Sequence, residues 1–222
     1  MTDRNAESAR LTKSEIYREI RQRICLLDYP PGDRLNEREL ALEFSISRTP
    51  MRDVMQRLEH DGLIDSKHGR GTVVTTINLD KVREIYLIRI RLADAIGDLH
   101  PILVTDEHLE NIRQIERECF TLLENPSKRQ FAIVNISYNS FLHSLPGNET
   151  IRKINDNLFF QSARFWFLLL EDLDFKEEAF KLMEEVKMSR QVLELNDIRL
   201  LASIHKTRLK DVLSRVNKIG ED

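Results

Sequence analysis

The chain has 222 residues and a formal net charge of −3 at pH 7, from 34 basic and 37 acidic side chains. That length suits two domains, and because acidic and basic residues are close to balance in both halves, the composition excludes a broadly basic surface. The two cysteines, Cys25 and Cys119, lack the spacing of a zinc or disulfide framework, and no apolar run approaches the roughly 20 residues of a membrane span, so we expect a cytoplasmic protein without membrane contact.

The first predicted helix begins with the sequence pattern of a capping box. Residues 1–11 are polar and are predicted to form a disordered tail, whereas Thr12 and Glu15 have the spacing that closes a helix N-terminus. An apolar stripe follows at helical spacing, formed by Ile16, Ile20, Ile24 and Leu27. The turn residues 29–32 end this helix.

Two further helices joined by a tight turn are predicted next. Asn36 caps a short second helix, residues 45–46 supply the turn, and Ser47 caps a third helix that stops at Gly62. Apolar residues recur along one face of this third helix, which leaves four side chains for a DNA groove: Arg48, Thr49, Arg52 and Gln56. The pattern predicts a helix-turn-helix.

A hairpin follows the third helix. The runs 63–66 and 72–76 flank a glycine-rich basic turn that includes Lys67, His68, Gly69 and Arg70. Such a two-stranded wing can reach a neighbouring groove, while the third helix offers phosphate its free N–H groups and two arginines. Residues 12–77 are therefore predicted to be a winged helix-turn-helix that binds double-stranded DNA.

This stretch resembles the DNA-binding domain of the GntR superfamily of bacterial transcription regulators. The resemblance rests on Pro-Gly-Asp-Arg-Leu-Asn-Glu at 31–37, Leu-Ala at 40–41, Ser-Arg-Thr-Pro-Met-Arg at 47–52 and Leu-Glu-His-Asp-Gly-Leu-Ile at 58–64. It implies that operator DNA is contacted by Arg38, Ser47, Arg48 and Arg52, and that the wing residues His68 and Gly69 enter the minor groove. From their positions we add Thr49 and Arg70. The alternative is that Arg38 pairs with Glu39 or Glu43, and that Arg34 and Arg57 are merely solvated.

Residues 78–222 show helical periodicity throughout and almost no strand signals. Caps and breaks divide them into six helices, so the fold class is mainly α: a winged helix-turn-helix with a small β-hairpin, followed by an all-α six-helix bundle. This second domain resembles the FCD effector-binding and dimerisation domain of the FadR subfamily, in its shorter, VanR-like form. The HutC-like branch, whose effector domain contains a sheet, is disfavoured.

The FCD resemblance implies a divalent metal held by an aspartate and three histidines. The matching positions in this chain are Asn135, Asn139, Val186 and Arg208. Amides are poor metal ligands, valine is none and arginine brings positive charge, so we expect no metal cofactor. A register shifted by one helical turn would instead match Asn139 and His143, with His205 as a further ligand.

The same positions suggest a metal-free effector site. Asn135, Asn139 and His143 lie four residues apart and form one ridge on a helix. Arg89 or Arg208 could replace the metal by binding an organic anion. Alternatively, these arginines and Arg91 pair with carboxylates of neighbouring helices, with Asp94, Asp98, Glu184 and Glu185 as candidates.

The sequence as a whole predicts a homodimeric regulator, a repressor in our interpretation, whose operator affinity responds to a small metabolite in the bundle. A constitutive or architectural DNA-binding dimer without an effector is the alternative. An enzyme is disfavoured because the sequence contains no nucleophile elbow, phosphate loop or acid/base pair.

Overall fold

The computed structural model of the chain describes residues 11–67, 71–99, 102–170 and 173–219. Two compact units are separated between Thr76 and Ile77. Apart from Leu11, the predicted disordered tail lies outside the described residues, as do the wing-tip residues His68, Gly69 and Arg70 and the predicted break at 100–101.

The first unit contains three helices and three short strands within its described residues. These are α1 (Lys13–Cys25), β1 (Arg34–Leu35), α2 (Glu37–Glu43), α3 (Arg48–His60), β2 (Ile64–Lys67) and β3 (Gly71–Val74). The predicted capping box at Thr12 is present, and the Asn36 side chain accepts from the Arg38 and Glu39 amides at the start of α2. The prediction of a helix-turn-helix is confirmed.

The wing has one more strand than the sequence predicted. In the hairpin, β2 pairs with β3, and Ile64 lies opposite Val74. β1 pairs with the other side of β3, where Leu35 lies opposite Thr72. The turn before β1 makes this possible, because Gly32 adopts φ +92° and donates its N–H to the Val74 carbonyl at 2.9 Å. The third strand fixes the base of the wing against the chain that precedes α2.

Helical periodicity identified most of the core of this unit. Ile16, Ile20 and Ile24 of α1 are fully buried and pack in one cluster with the apolar face of α3. Leu27, which was predicted to extend the stripe, lies instead beyond the end of α1 with φ +63°. The helix ends two residues earlier than the stripe suggested, with Leu26 as its C-cap residue.

The described residues of the second unit form the six predicted helices and, in addition, the four-residue α5, which confirms the predicted fold class. They are α4 (Leu79–Ala93), α5 (Ala95–Asp98), α6 (Asp106–Glu124), α7 (Lys128–Ser144), α8 (Glu149–Leu169), α9 (Phe175–Glu194) and α10 (Ile198–Lys218). The extra one arises because the first predicted helix breaks at Asp94. The short α5 then approaches α10 so closely that a Cβ on Gly97 would lie 2.8 Å from the Arg199 Cα.

Capping side chains begin the long helices of this unit; those of α4, α6, α7 and α8 were predicted from the sequence, whereas those of α9 and α10 lie where only a turn was predicted. Each cap side chain accepts from a backbone N–H of the first turn, at Asn78, Thr105, Ser127, Asn148, Asp174 and Asp197. α4 packs against α8 and α10, and α6 packs against α7 and α9. Across the part of the chain that the structure describes, no helix is long and apolar enough to cross a membrane.

Candidate functional site

The N-terminus of α3 is exposed and electropositive. Ser47 occupies the N-cap position, but its hydroxyl accepts no capping hydrogen bond, in contrast to the prediction. The N–H groups of the first turn therefore keep their capacity for another acceptor, and a phosphate oxygen suits it. Arg48, Thr49 and Arg52 are all exposed beside these groups, as the helical pattern predicted.

Arg38 of α2 belongs to the same surface. Arg52 lies 3.8 Å from the carboxylate of Glu37, the residue next to Arg38, so the first turns of α2 and α3 adjoin. The predicted pairing of Arg38 with an acidic neighbour does not form. Glu39 accepts from the Asn36 side chain, and Glu43 pairs with Arg23 of α1.

Arg57 has a structural contact that the sequence did not reveal. Its guanidinium lies 3.8 Å from the centre of the Tyr17 ring, and the Tyr17 hydroxyl donates to Asp61 at the end of α3. Arg57 therefore helps to join α1 to α3, whereas Arg34 is exposed and forms no ion pair with any described residue.

A small cavity lies inside the second unit, and we call it the Arg89 cavity. It has a volume of about 30 Å³ and is lined by polar groups from four helices, among them Tyr86, Arg89, Asn135, Asn139 and Arg208. The structure thus brings together four of the five predicted effector residues. A volume of this size has room for about two water molecules.

Arg89 is a buried cation in this cavity. Its side chain is held by hydrogen bonds from the guanidinium to Ser162 Oγ at 3.2 Å and to Asn139 Oδ1 at 3.0 Å, and the guanidinium lies between the rings of Tyr86 and Phe159. No described carboxylate forms an ion pair with it. Burial lowers the pKa of the Arg89 guanidinium, and the neighbouring Tyr86 hydroxyl and Glu185 oppose that effect. An arginine remains charged in such surroundings.

Asn135 and Asn139 orient this arginine. The Asn139 amide donates to the backbone carbonyl and side-chain oxygen of Asn135 at 2.9 and 3.1 Å, which leaves its own oxygen for Arg89. His143, one turn further along α7, does not line the cavity. It packs edge-to-face against Phe159 and borders a separate surface pocket with Glu149 and Arg152.

Arg208 is paired with carboxylates, as the alternative interpretation proposed: Glu185 was among the predicted partners, whereas Glu178 and Asp211 were not. Its guanidinium lies 3.0 Å from Glu178, 2.9 Å from Asp211 and 3.8 Å from Glu185. Glu178, which is only 2 % exposed, also accepts from Arg215. Burial alone would raise the pKa of Glu178, but the hydrogen bonds from Arg215 and Arg208 outweigh it and lower that pKa.

The sequence contains a signal for this network that periodicity alone did not bring out. Glu178 and Glu185 are seven residues apart on α9, and Arg208 and Arg215 are seven apart on α10. Side chains seven apart share a helix face, so two neighbouring helices with this spacing can match their charges. Ser162, by contrast, has no distinguishing pattern in the sequence.

The family metal does not suit these residues. A divalent cation in the Arg89 cavity would meet the amides of Asn135 and Asn139 and a single carboxylate, Glu185, and it would face the guanidinia of Arg89 and Arg208. The shifted register does not supply a metal site in the cavity either, because neither His143 nor His205 lines it. Within the described ranges, no three His, Cys, Asp or Glu side chains cluster in a way that could hold a metal.

Comparison with known proteins identifies the first unit. Residues 12–74 match the family model for bacterial regulatory proteins of the gntR family. The first unit therefore has the sequence features and the helix-turn-helix fold of the DNA-binding domain of these regulators. The chain's matches are with transcriptional regulators, and the prediction that the protein is not an enzyme is confirmed.

The curated proteins that resemble this chain include transcriptional regulators. This chain is 28 % identical over 156 residues to the uncharacterized HTH-type transcriptional regulator YdhC of Bacillus subtilis (strain 168). The match covers 66 % of this chain and 67 % of YdhC. This chain is 28 % identical over 127 residues to the HTH-type transcriptional repressor RspR of Escherichia coli (strain K12). The match covers 57 % of this chain and 51 % of RspR. The second match thus spans about half of its relative.

Solved structures share the fold over nearly the whole chain. Escherichia coli McbR/YncC matches with a TM-score of 0.74 and 14 % identity, covering 93 % of this chain and 97 % of that one. A protein named GntR from Rhodococcus sp. RHA1 matches with a TM-score of 0.71 and 18 % identity, covering 93 % and 98 %. The helical second unit is therefore part of a fold that these proteins have in common.

Proposed function

We propose that this regulator is an FCD-type member of the FadR subfamily, whose operator affinity is modulated by a small organic anion bound without a metal in the Arg89 cavity. The FCD assignment is supported by the all-helical second unit. As a DNA-binding protein it would act in the cytoplasm as a homodimer, and the similarity to the repressor RspR favours repression.

The observation behind the effector proposal is the buried charge of Arg89. A buried cation is costly unless a charge of opposite sign compensates it. The oxygens of Ser162 and Asn139 that accept from this guanidinium are neutral, and Glu185 lies near enough to influence its pKa but not to form an ion pair. A carboxylate entering the cavity would supply the missing charge through charge-assisted hydrogen bonds.

We expect small carboxylates to stabilise the protein, with acetate as the first probe. The melting temperature should rise with acetate concentration, corresponding to about 2.7 kcal/mol at a hundredfold excess over the dissociation constant, whereas neutral acetamide should have no effect. Differential scanning fluorimetry at constant ionic strength measures the shift. Arg89→Gln and Asn139→Leu should abolish it.

Arg91→Gln is the matched control for Arg89→Gln, because Arg91 lies on the same helix but is exposed. It should keep the full acetate response, and both variants should keep their DNA affinity. Chelators should leave the melting temperature and the acetate response unchanged. About one metal ion per chain after extensive dialysis would contradict the metal-free site and return His143 and His205 to consideration as ligands.

The operator should be an inverted repeat. If the helical unit forms a two-fold dimer, the two α3 helices meet half-sites related by the same symmetry, at a spacing of about one helical turn of DNA or a multiple of it. DNase footprinting on the regulator's own upstream region measures the spacing. A monomer by light scattering that binds one asymmetric half-site tightly would refute this expectation.

A change of operator affinity on adding an effector separates this function from the constitutive alternative. Anion binding that stabilises the bundle but leaves the operator dissociation constant unchanged would favour a DNA-binding dimer in which the bundle serves assembly alone.

A further inference from the structure

The second unit has an open groove on the outer side of the Arg89 cavity. It lies between α9 and α10, has a volume of about 470 Å³, and is lined by the apolar side chains Phe180, Met188 and Ile204 together with polar residues. We call it the α9–α10 groove. Its volume lies within the range of pockets that hold small organic ligands.

The groove and the Arg89 cavity share a wall. Glu185 and Arg208 line both spaces, so the only side chains common to the two are one carboxylate and one guanidinium. Their mutual contact is loose, at 3.8 Å, whereas Arg208 lies 3.0 Å from Glu178 and 2.9 Å from Asp211. Arg208 can therefore lose its contact with Glu185 and remain paired.

The two spaces differ in what they can hold. The cavity is polar and contains the buried charge of Arg89, but about 30 Å³ accommodates only a head group. The groove is large and mainly apolar, with Phe180 52 % and Met188 43 % exposed. Its carboxylates are already matched, since Glu184 pairs with Lys187 and Asp211 pairs with Arg208 and Arg215.

We propose that the effector is an amphipathic monocarboxylic acid whose apolar body lies in the α9–α10 groove and whose carboxylate reaches Arg89 past Glu185 and Arg208. This rests on the anion site proposed above and adds the chemical class of the ligand. Entry of the carboxylate would separate Glu185 from Arg208, which gives ligand binding a structural consequence at the contact between α9 and α10.

The chain contains a built-in reporter for this test. Trp166 is the single tryptophan, it lines the Arg89 cavity, and the guanidinium of Arg208 lies 5.5 Å from its ring. Its fluorescence should change when a carboxylate displaces the groups around Arg208. Titration with straight-chain acids from acetate to octanoate then gives an affinity for each chain length.

We expect affinity to increase by about fourfold for each added methylene until the groove is filled. Phe180→Ala should weaken octanoate binding roughly tenfold while leaving acetate binding unchanged, because the truncation removes apolar contact area only from the groove. Met188→Ser is a second variant with the same expectation. The matched control is Phe120→Ala, since Phe120 is 49 % exposed on α6 and does not line the groove.

Three outcomes would overturn the proposal. Equal affinity for acetate and octanoate would show that the groove holds no apolar body, although the anion site would stand. Failure of every carboxylate to bind would refute the anion site itself. Conversion of the ligand-free protein from dimer to monomer by Phe180→Ala, measured by light scattering, would show that the groove is an interface between two copies of the chain.

Discussion

Glu178→Gln should lower the free energy of unfolding by about 3 kcal/mol, the low end of the range for breaking a buried ion pair. The glutamate is 2 % exposed and accepts from Arg208 and Arg215, so its neutralisation leaves two largely buried guanidinia with less compensating charge. The loss stays near the low end because Asp211 still pairs with both arginines. Urea denaturation at neutral pH measures it.

The same variant has a defined pH dependence. The pKa of Glu178 is lowered in the folded state, so its contribution to stability is present above its unfolded value near 4.5 and is lost as the pH falls through the folded value. The stability difference between the parent protein and Glu178→Gln should therefore be constant near neutrality and shrink below about pH 4.5.

Glu177→Gln is the matched control, because Glu177 is the exposed neighbour on the same helix and pairs only with Lys181 among the described residues. Exposed pairs of this kind contribute about 0–1 kcal/mol. Equal losses for the two variants would mean that the Glu178 network has no special role in holding α9 against α10.

Arg48→Ala and Arg52→Ala should each weaken operator binding by about 1–3 kcal/mol if the arginine contacts a base edge. Both side chains are exposed at the start of α3, and Arg48 forms no ion pair with any described residue. Arg52 has only a 3.8 Å contact with Glu37, which DNA can replace at little cost. Fluorescence anisotropy at fixed salt measures the change.

Arg57→Ala on the same helix provides the control. It should leave operator affinity nearly unchanged, while losing the stacking of the guanidinium on Tyr17 should cost about 0.5–1 kcal/mol of stability. Circular dichroism separates the two effects, since Arg48→Ala should melt like the parent protein. Unchanged affinity in the Arg48 and Arg52 variants would remove both residues from the interface.

The sequence determined where most helices begin and which face each one buries. Caps such as Asn36, Thr105 and Asn148 act on amides within three residues, so their effect is local and can be read without a fold. The apolar spacing of α1 and α3 likewise identified their buried faces. Ser47 is an exception, because having a capping side chain at the right position does not ensure that it makes the bond.

The tertiary structure decided which distant residues meet. Arg89 and Ser162 are 73 positions apart, and Glu178 and Arg215 are 37 apart, so no local pattern specifies either contact. The third strand of the wing depends in the same way on a turn near Gly32 reaching Val74.

The sequence by itself therefore predicted the domain class and the helix-turn-helix, because these follow from local propensity and spacing, whereas the candidate residues of the effector site came from the resemblance to the FCD domain. Only the tertiary structure showed that Arg208 is neutralised by carboxylates whereas Arg89 is not, and that one loose contact separates the Arg89 cavity from the α9–α10 groove. The physical reason is that the cost of a buried charge depends on the groups around it in space, and helix packing brings those groups from every part of the second unit.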